Sequence, residues 1–216
     1  MIDFIFIELG NIFIFYFLFF SDLGINLVFL IFALSLLVKF LFFYPENKIK
    51  KITDIRSLHF NKIKSEVLNE TFLLKGEAKF NATNIIYKKY KYNPIHELIL
   101  VMPYLVQVPI FLTMYYLFIS INEDIFSNIN FLFIDDLSKP DAMIANKFIT
   151  INILPITMTI INLISITIYN TSSKVLEFSI PFLFLLLLYN KPSALVLYWT
   201  FNNILYLITI LYQKYL

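Results

Sequence analysis

Lys39 lies in the apolar run LSLLVKFLFFY and is the only charge well inside such a run. A cation at the centre of a spanning helix costs about 2.5–3.5 kcal/mol on insertion scales, so it marks a functional position by default. A second reading stays open. Lys39 is six residues before Pro45, roughly 9 Å along a helix axis, and could snorkel to the surface. Further along, HELILVMPYLVQVPIFLTMYYLF carries Pro103 and Pro109 around Gln107. Each proline frees a backbone carbonyl and bends a helix, and Gln107 adds an amide at mid-depth. Pro155 precedes Thr157, Thr159, Asn162, Ser165 and Thr167, and a last apolar segment carries Tyr198, Trp199, Thr200, Asn202 and Asn203. Hydroxyls often bond their own helix, and Tyr and Trp often form interfacial belts, so no single group is diagnostic. Polar groups on four apolar segments together favour a shared, water-accessible cavity over structural glue.

Bond-making chemistry finds little support. The chain has no GxGxxG, Walker A, HExxH or GxSxG pattern. With no cysteine there is no disulfide, thiol catalysis or cysteine metal site. His59 and His96 are far apart and lack clustered carboxylates, so they read as surface or capping residues. Asp135 and Asp136 read as capping or solvated groups. No catalytic residue, metal or cofactor is expected.

The elements that must hold these residues follow from hydropathy. The 216 residues are 59% hydrophobic, with 25 Phe, 14 Tyr and only 15% charged. A soluble domain carries roughly 25% charge, so the surplus apolar surface needs lipid. A crossing takes about 20 apolar residues. The expected fold is an all-α integral membrane protein with five transmembrane helices. Its order is an interfacial helix over 1–21, a span over 22–44, a basic segment over 45–94, a span over 95–119 and a loop over 120–147. Spans over 148–169, 176–190 and 193–213 follow. A sixth span within residues 1–20 is the competing reading. Segment 45–94 holds 11 basic and five acidic residues, a net +6, whereas 120–146 holds one lysine against five acids. The positive-inside rule puts the first on the cytoplasmic side and the second outside, with the N-terminus outside and the C-terminus inside. Ile49, Ile52, Ile55, Leu58, Ile63 and Val67 recur at helical spacing, and Gly76 supplies a break, so 45–94 reads as a helical hairpin.

The run KYKYNPIHELILVMPYLVQVPIFLTMYYLF resembles the signature of the YidC/Oxa/Albino membrane protein insertases, through Asn93-Pro94 and then Pro103, Gln107, Pro109, Ile110 and Phe111. NLVFLIFALSLLVKFLFFYP resembles the first core span, with Lys39 where arginine is usual. FLFIDDLSKPDA over 131–142 resembles the outer loop, and SALVLYWTFNNILYLITILYQ over 193–213 resembles the last span. The resemblance implies five helices around a hydrophilic groove open to cytoplasm and lipid, with the hairpin at its mouth. It implies that Lys39, Gln107, Thr113, Asn162, Trp199 and Asn202 meet the substrate and that Pro103, Pro109 and Pro155 kink their helices. It implies nascent membrane proteins and the bilayer as partners, the ribosome and a Sec-type translocon as further candidates, and no nucleic-acid substrate. The location would be the cell (inner) membrane, with an organellar inner or thylakoid membrane as alternatives. Four features depart from the pattern: Lys39 for arginine, Phe133 for tryptophan, Lys191-Pro192-Ser193-Ala194 for Pro-Ala-Gly, and no basic tail after Lys214.

Two other functions remain in view at this stage. A small-solute transporter or channel subunit would be expected to show inverted repeats and glycine-interrupted helices. The chain has 3 glycines and no visible repeat. A structural partner that kept the fold and lost the activity is the other reading.

Overall fold

The computed structural model describes residues 2–120, 125–145, 150–169 and 174–215. Its helices are α1 (Ile2–Asp22), α2 (Leu27–Thr71), α3 (Gly76–Lys89), α4 (Met102–Ser120), α5 (Ile153–Tyr169), α6 (Lys174–Leu188) and α7 (Ser193–Tyr215). A 3-10 helix, Pro94–Val101, leads into α4, and strands β1 (Ile144–Ala145) and β2 (Thr150–Ile151) form a two-residue antiparallel ribbon. Glu123 and Asp124 of the acidic loop and residues 170–173 before α6 lie outside the described residues.

The chain divides into two compact units, Met1–Phe42 with Pro109–Leu216, and Phe43–Val108. Two helices, α2 and α7, are long and apolar enough by themselves to cross a membrane. Shorter apolar helices cover Gly10–Asp22, Gln107–Ser120, Ile153–Ile168 and Phe178–Leu188.

In the first unit, α1 and α2 are joined by the turn Leu23–Asn26. Gly24 takes φ +80° there, a conformation costly for a residue with Cβ, and Asn26 Oδ1 caps α2 by accepting the Val28 N–H at 2.8 Å. The core is aromatic. Phe13 and Phe17 of α1 are buried against Phe118 of α4, with ring centroids 5.1 Å and 6.3 Å away, and Phe17 also meets Phe126 at 5.1 Å. The interfacial helix expected over 1–21 is thus packed into this core, and the Tyr16 hydroxyl donates to the Leu30 carbonyl at 3.0 Å. Facing outward, Phe29, Phe40, Leu186 and Ile208 are exposed. Apolar side chains on the outside of a well-packed core fit a lipid solvent.

The loop over 125–145 is tied to two helix starts. Ser193 donates to the Lys139 carbonyl from its backbone N–H at 2.9 Å and its hydroxyl at 2.7 Å, and the Ala194 N–H reaches the Leu137 carbonyl at 3.0 Å. Asp141 Oδ2 accepts the N–H groups of Ile153 at 2.6 Å and Leu154 at 3.1 Å. The first turn of α5 has no intrahelical acceptor for these donors, so the loop supplies one. Asn152 accepts from the Ala142 N–H at 3.0 Å and donates to the Tyr189 carbonyl at 2.7 Å.

The second unit opens at Phe43; α2 has 45 residues in all, about 68 Å at 1.5 Å per residue, and continues through Pro45. Pro45 lacks the N–H that would reach the Leu41 carbonyl, and the helical turns on both sides carry the helix past that lost bond. The chain reverses over Phe72–Lys75, and Gly76 with φ +56° opens α3. Phe60, Ile63, Ile86 and Tyr92 form a small core with Val67, Tyr87, Tyr90 and Ile99 against it. Of the apolar stripe seen in the sequence, Ile63 and Val67 join this core, whereas Ile52, Ile55 and Leu58 stay exposed.

Candidate functional site

Lys39 is half-buried on α2, and its Nζ lies over the Tyr206 ring of α7, 5.2 Å from the centroid. A cation over an aromatic face is attracted by the ring quadrupole, more so where water is scarce. One level nearer the loop end, Phe32 and Phe201 meet at 5.4 Å. Both contacts advance in the same sense, so α2 and α7 run parallel here. On the other side of α7, Asn203 Nδ2 donates to the Met158 carbonyl of α5 at 3.4 Å. Because α5 and α7 both start at the 125–145 loop, they also run in parallel. One turn beyond Met158 on the same face is Asn162, and one turn beyond Asn203 is Tyr206. Lys39, Tyr206 and Asn162 therefore share one level of the unit.

Asn202 lies one turn before Tyr206 on the same face and is half-buried, and its Nδ2 donates to its own helix at the Tyr198 carbonyl, 3.2 Å away. Thr113 is half-buried on α4 and donates to the Pro109 carbonyl at 2.9 Å. Trp199 is only 3% exposed and is walled by Phe111 at 5.2 Å, Phe184 at 5.6 Å and Tyr198 at 5.4 Å. It serves as core packing rather than as an open lining. Gln107 belongs to the second unit, where it is half-buried on α4.

The prolines divide by position. Pro109 lies inside α4. Pro103 is the second residue of α4 and Pro155 the third of α5. At Pro155, in a first turn, the missing N–H has no intrahelical acceptor to lose and forces no bend, whereas Pro103 follows directly on the 3-10 helix Pro94–Val101. The hydroxyls behave alike. Thr157, Thr159, Ser165, Thr167 and Thr200 each donate to a carbonyl of their own helix at 2.7–3.0 Å. These hydroxyls bond within their own helices, whereas Lys39 and the Asn203 amide reach a neighbouring one. Tyr206 was not singled out from sequence, although its i+4 spacing from Asn202 puts it on the same face.

The second unit is clasped by ion pairs. Lys89 Nζ lies 2.7 Å from Glu66, whose carboxylate also accepts from the Tyr90 hydroxyl. The Lys89 and Tyr90 hydrogen bonds hold Glu66 below the usual carboxylate range. Lys64 Nζ lies 2.8 Å from Glu97, which also accepts from the Tyr92 hydroxyl. Burial pushes the Glu97 carboxyl up, but the Lys64 and Tyr92 bonds outweigh it and hold it low. Burial and the Glu97 bond push the Tyr92 hydroxyl far up. In the loop over 125–145 burial likewise raises Asp136. The Ser138 hydroxyl and N–H, together with Lys139 at 2.9 Å, bring it down to about 2. Among the described residues no three His, Cys, Asp or Glu side chains group to hold a metal ion.

Apolar helices with outward-facing Phe, Leu and Ile define a helical integral membrane protein. The chain belongs to the 60Kd inner membrane protein family, whose profile matches residues 18–215. It is 38% identical over 143 residues to the membrane protein insertase YidC of Janthinobacterium sp. (strain Marseille), covering 61% of this chain and 24% of that one. Over 167 residues it is 35% identical to the Herminiimonas arsenicoxydans protein of the same name, covering 72% and 26%. Over 201 residues it is 29% identical to that of Citrifermentans bemidjiense, covering 91% and 33%. The chain thus spans about a quarter to a third of the length of these curated relatives.

Proposed function

We propose that this chain inserts small membrane proteins into the inner membrane and assists their folding, without bond-making chemistry. In this reading the apolar first part of α2, then α4, α5, α6 and α7 are the five spans. The hairpin of α2 and α3 and the C-terminus are cytoplasmic, and the loop over 120–147 faces outward. The observation that carries the reading is Lys39, a half-buried cation in an apolar helix, level with Tyr206 and Asn162. An acidic tail of an incoming protein is drawn to that charge more strongly in a low-dielectric groove than in water. Thr113 and Asn202 of the same unit add polar groups, Gln107 is a further candidate contact on the second unit, and the substrate's apolar segment leaves along the outward-facing Phe and Leu surface. Nascent membrane proteins and lipid are the partners. Ribosome and translocon contacts would add to them.

Packing favours one change of topology. The burial of Phe13 and Phe17 supports the competing sixth-span reading, because α1 of 21 residues is about 31 Å long, the thickness of the hydrocarbon. The N-terminal end of α1 would then be cytoplasmic instead of outside.

The test is insertion of single-span substrates with acidic outer tails in cells depleted of their own insertase. Lys39→Ala is expected to lower insertion several-fold, and Lys39→Arg to retain it. Full complementation by Lys39→Ala would remove the groove-charge mechanism.

A further inference from the structure

The chain places a single arginine among its 17 basic residues, and that arginine, Arg56, lines a cavity of about 490 Å³ in the second unit. The other lining residues are Phe60, Ile95, His96 and Ile99. The volume falls within the range of small-molecule sites, roughly 300–1,000 Å³. Among the described residues Arg56 has no ion-pair partner. The nearest carboxylate in sequence to His96, Glu97, is already engaged by Lys64 and Tyr92, so it does not supply the missing counter-charge. The pocket therefore pairs a free guanidinium and an imidazole with an apolar floor of Phe60 and Ile99.

Lysine provides every other basic charge of this chain. A lysine is a compact point charge, whereas a guanidinium presents a planar fork that grips phosphate through two parallel N–H bonds. The surroundings suit an amphiphile. Ile95 at the rim is 66% exposed, and Ile55 and Leu58, on the helix that carries Arg56, are 68% and 70% exposed. Ile55 and Leu58 lie in the segment 45–94, of net charge +6, and Ile95 directly follows it. Exposed apolar residues with basic neighbours are the composition of a surface that seats in an anionic lipid interface.

We propose that this pocket binds the phosphate of an anionic phospholipid. Arg56 takes the phosphate bidentately and His96 donates a further hydrogen bond. Ile95, Ile99 and Phe60 receive the glycerol and the first methylenes. The pocket is built from residues of the second unit alone, and its binding readout does not depend on insertion activity.

The experiment is native mass spectrometry of the full chain in detergent, titrated with dioleoyl-phosphatidylglycerol, dioleoyl-phosphatidylcholine or inorganic phosphate. Variants are Arg56→Lys, His96→Ala and Lys75→Ala, the last removing an exposed charge beside the turn between α2 and α3. Phosphatidylglycerol is expected to bind ahead of phosphatidylcholine. Arg56→Lys should weaken it about tenfold, the scale of one lost hydrogen bond to a charged group. Lys75→Ala should stay within twofold. Equal weakening by Arg56→Lys and Lys75→Ala would reduce the effect to diffuse charge and overturn the proposal. So would unchanged binding by Arg56→Lys, or inorganic phosphate binding as tightly as the lipid. Displacement of the lipid by an acidic, apolar peptide of higher affinity would make the pocket a peptide site and overturn the lipid assignment.

Discussion

Replacing Asp141 tests whether the loop over 125–145 holds the start of α5. Its buried carboxylate accepts two donors on one oxygen, Ile153 N at 2.6 Å and Leu154 N at 3.1 Å. Hydrogen bonds to a charged group contribute about 1.5–3 kcal/mol. Loss of an N-cap side chain costs about 0.5–2 kcal/mol, and a carboxylate at a helix N-terminus gains about 0.3–2 kcal/mol. These figures describe overlapping parts of one interaction and do not add. Asp141→Ala is therefore expected to cost about 2–3 kcal/mol, and Asp141→Asn, which keeps an acceptor and loses the charge, about 1 kcal/mol. If the first turn of α5 opens locally, 2–3 kcal/mol becomes ~30–150-fold faster amide exchange at Ile153 and Leu154. Hydrogen exchange of the detergent-solubilised chain reads this directly, with the Ile161 amide as an internal reference. Exchange in Asp141→Ala within threefold of wild type would refute the cap. Equal effects of Ala and Asn would refute the role of charge.

Trp199→Phe is expected to change stability by less than about 1 kcal/mol, because its buried Nε1–H has no hydrogen-bond partner among the described residues and losing that orphan donor offsets the lost volume. Trp199→Ala, which leaves a cavity among Phe111, Phe184 and Tyr198, should cost about 3 kcal/mol in detergent unfolding. Phe17→Ala should destabilise by about 2 kcal/mol or more, and Phe15→Ala, on the exposed face of α1, by less than about 0.5 kcal/mol; similar values for the two would mean that α1 is not packed. Asp136 has its folded pKa lowered from the ordinary 3.8 to about 2, so the stability that it contributes is present above about pH 4 and is lost as pH falls from there toward 2. Protection of the Ser138 amide, which donates to Asp136, should accordingly be flat from pH 5 to 8 and decline below pH 4.

Hydropathy made most of the helices legible, because an apolar stretch of helical length has few alternatives in lipid. Lys39 was legible for the same reason, since one charge in such a run stands out. What hydropathy could not give was partners. Nothing near Asp141 in sequence points to Ile153, and nothing near Lys39 points to Tyr206, because both pairings exist only after the helices pack. Pro45 sits inside α2 because one lost hydrogen bond does not end a helix whose neighbouring turns both hold. The hydroxyls of α5 looked like a lining because type and spacing are visible in sequence, whereas their bonds to their own backbone are not. Residues 1–21 were read as interfacial from their broken composition, and the burial of Phe13 and Phe17 could not be seen there.

The pairing of Ser193 with Lys139 has a consequence for the order of events during synthesis. The two residues are 54 positions apart. At roughly 5–20 residues per second, the Lys139 carbonyl is made some seconds before the residue that binds it. Through that interval α5 and α6 emerge while the loop still lacks its second anchor. The loop is thus latched by a helix made after α5 and α6, and a ribosome stalled before Ser193 would hold the bundle in an unlatched state.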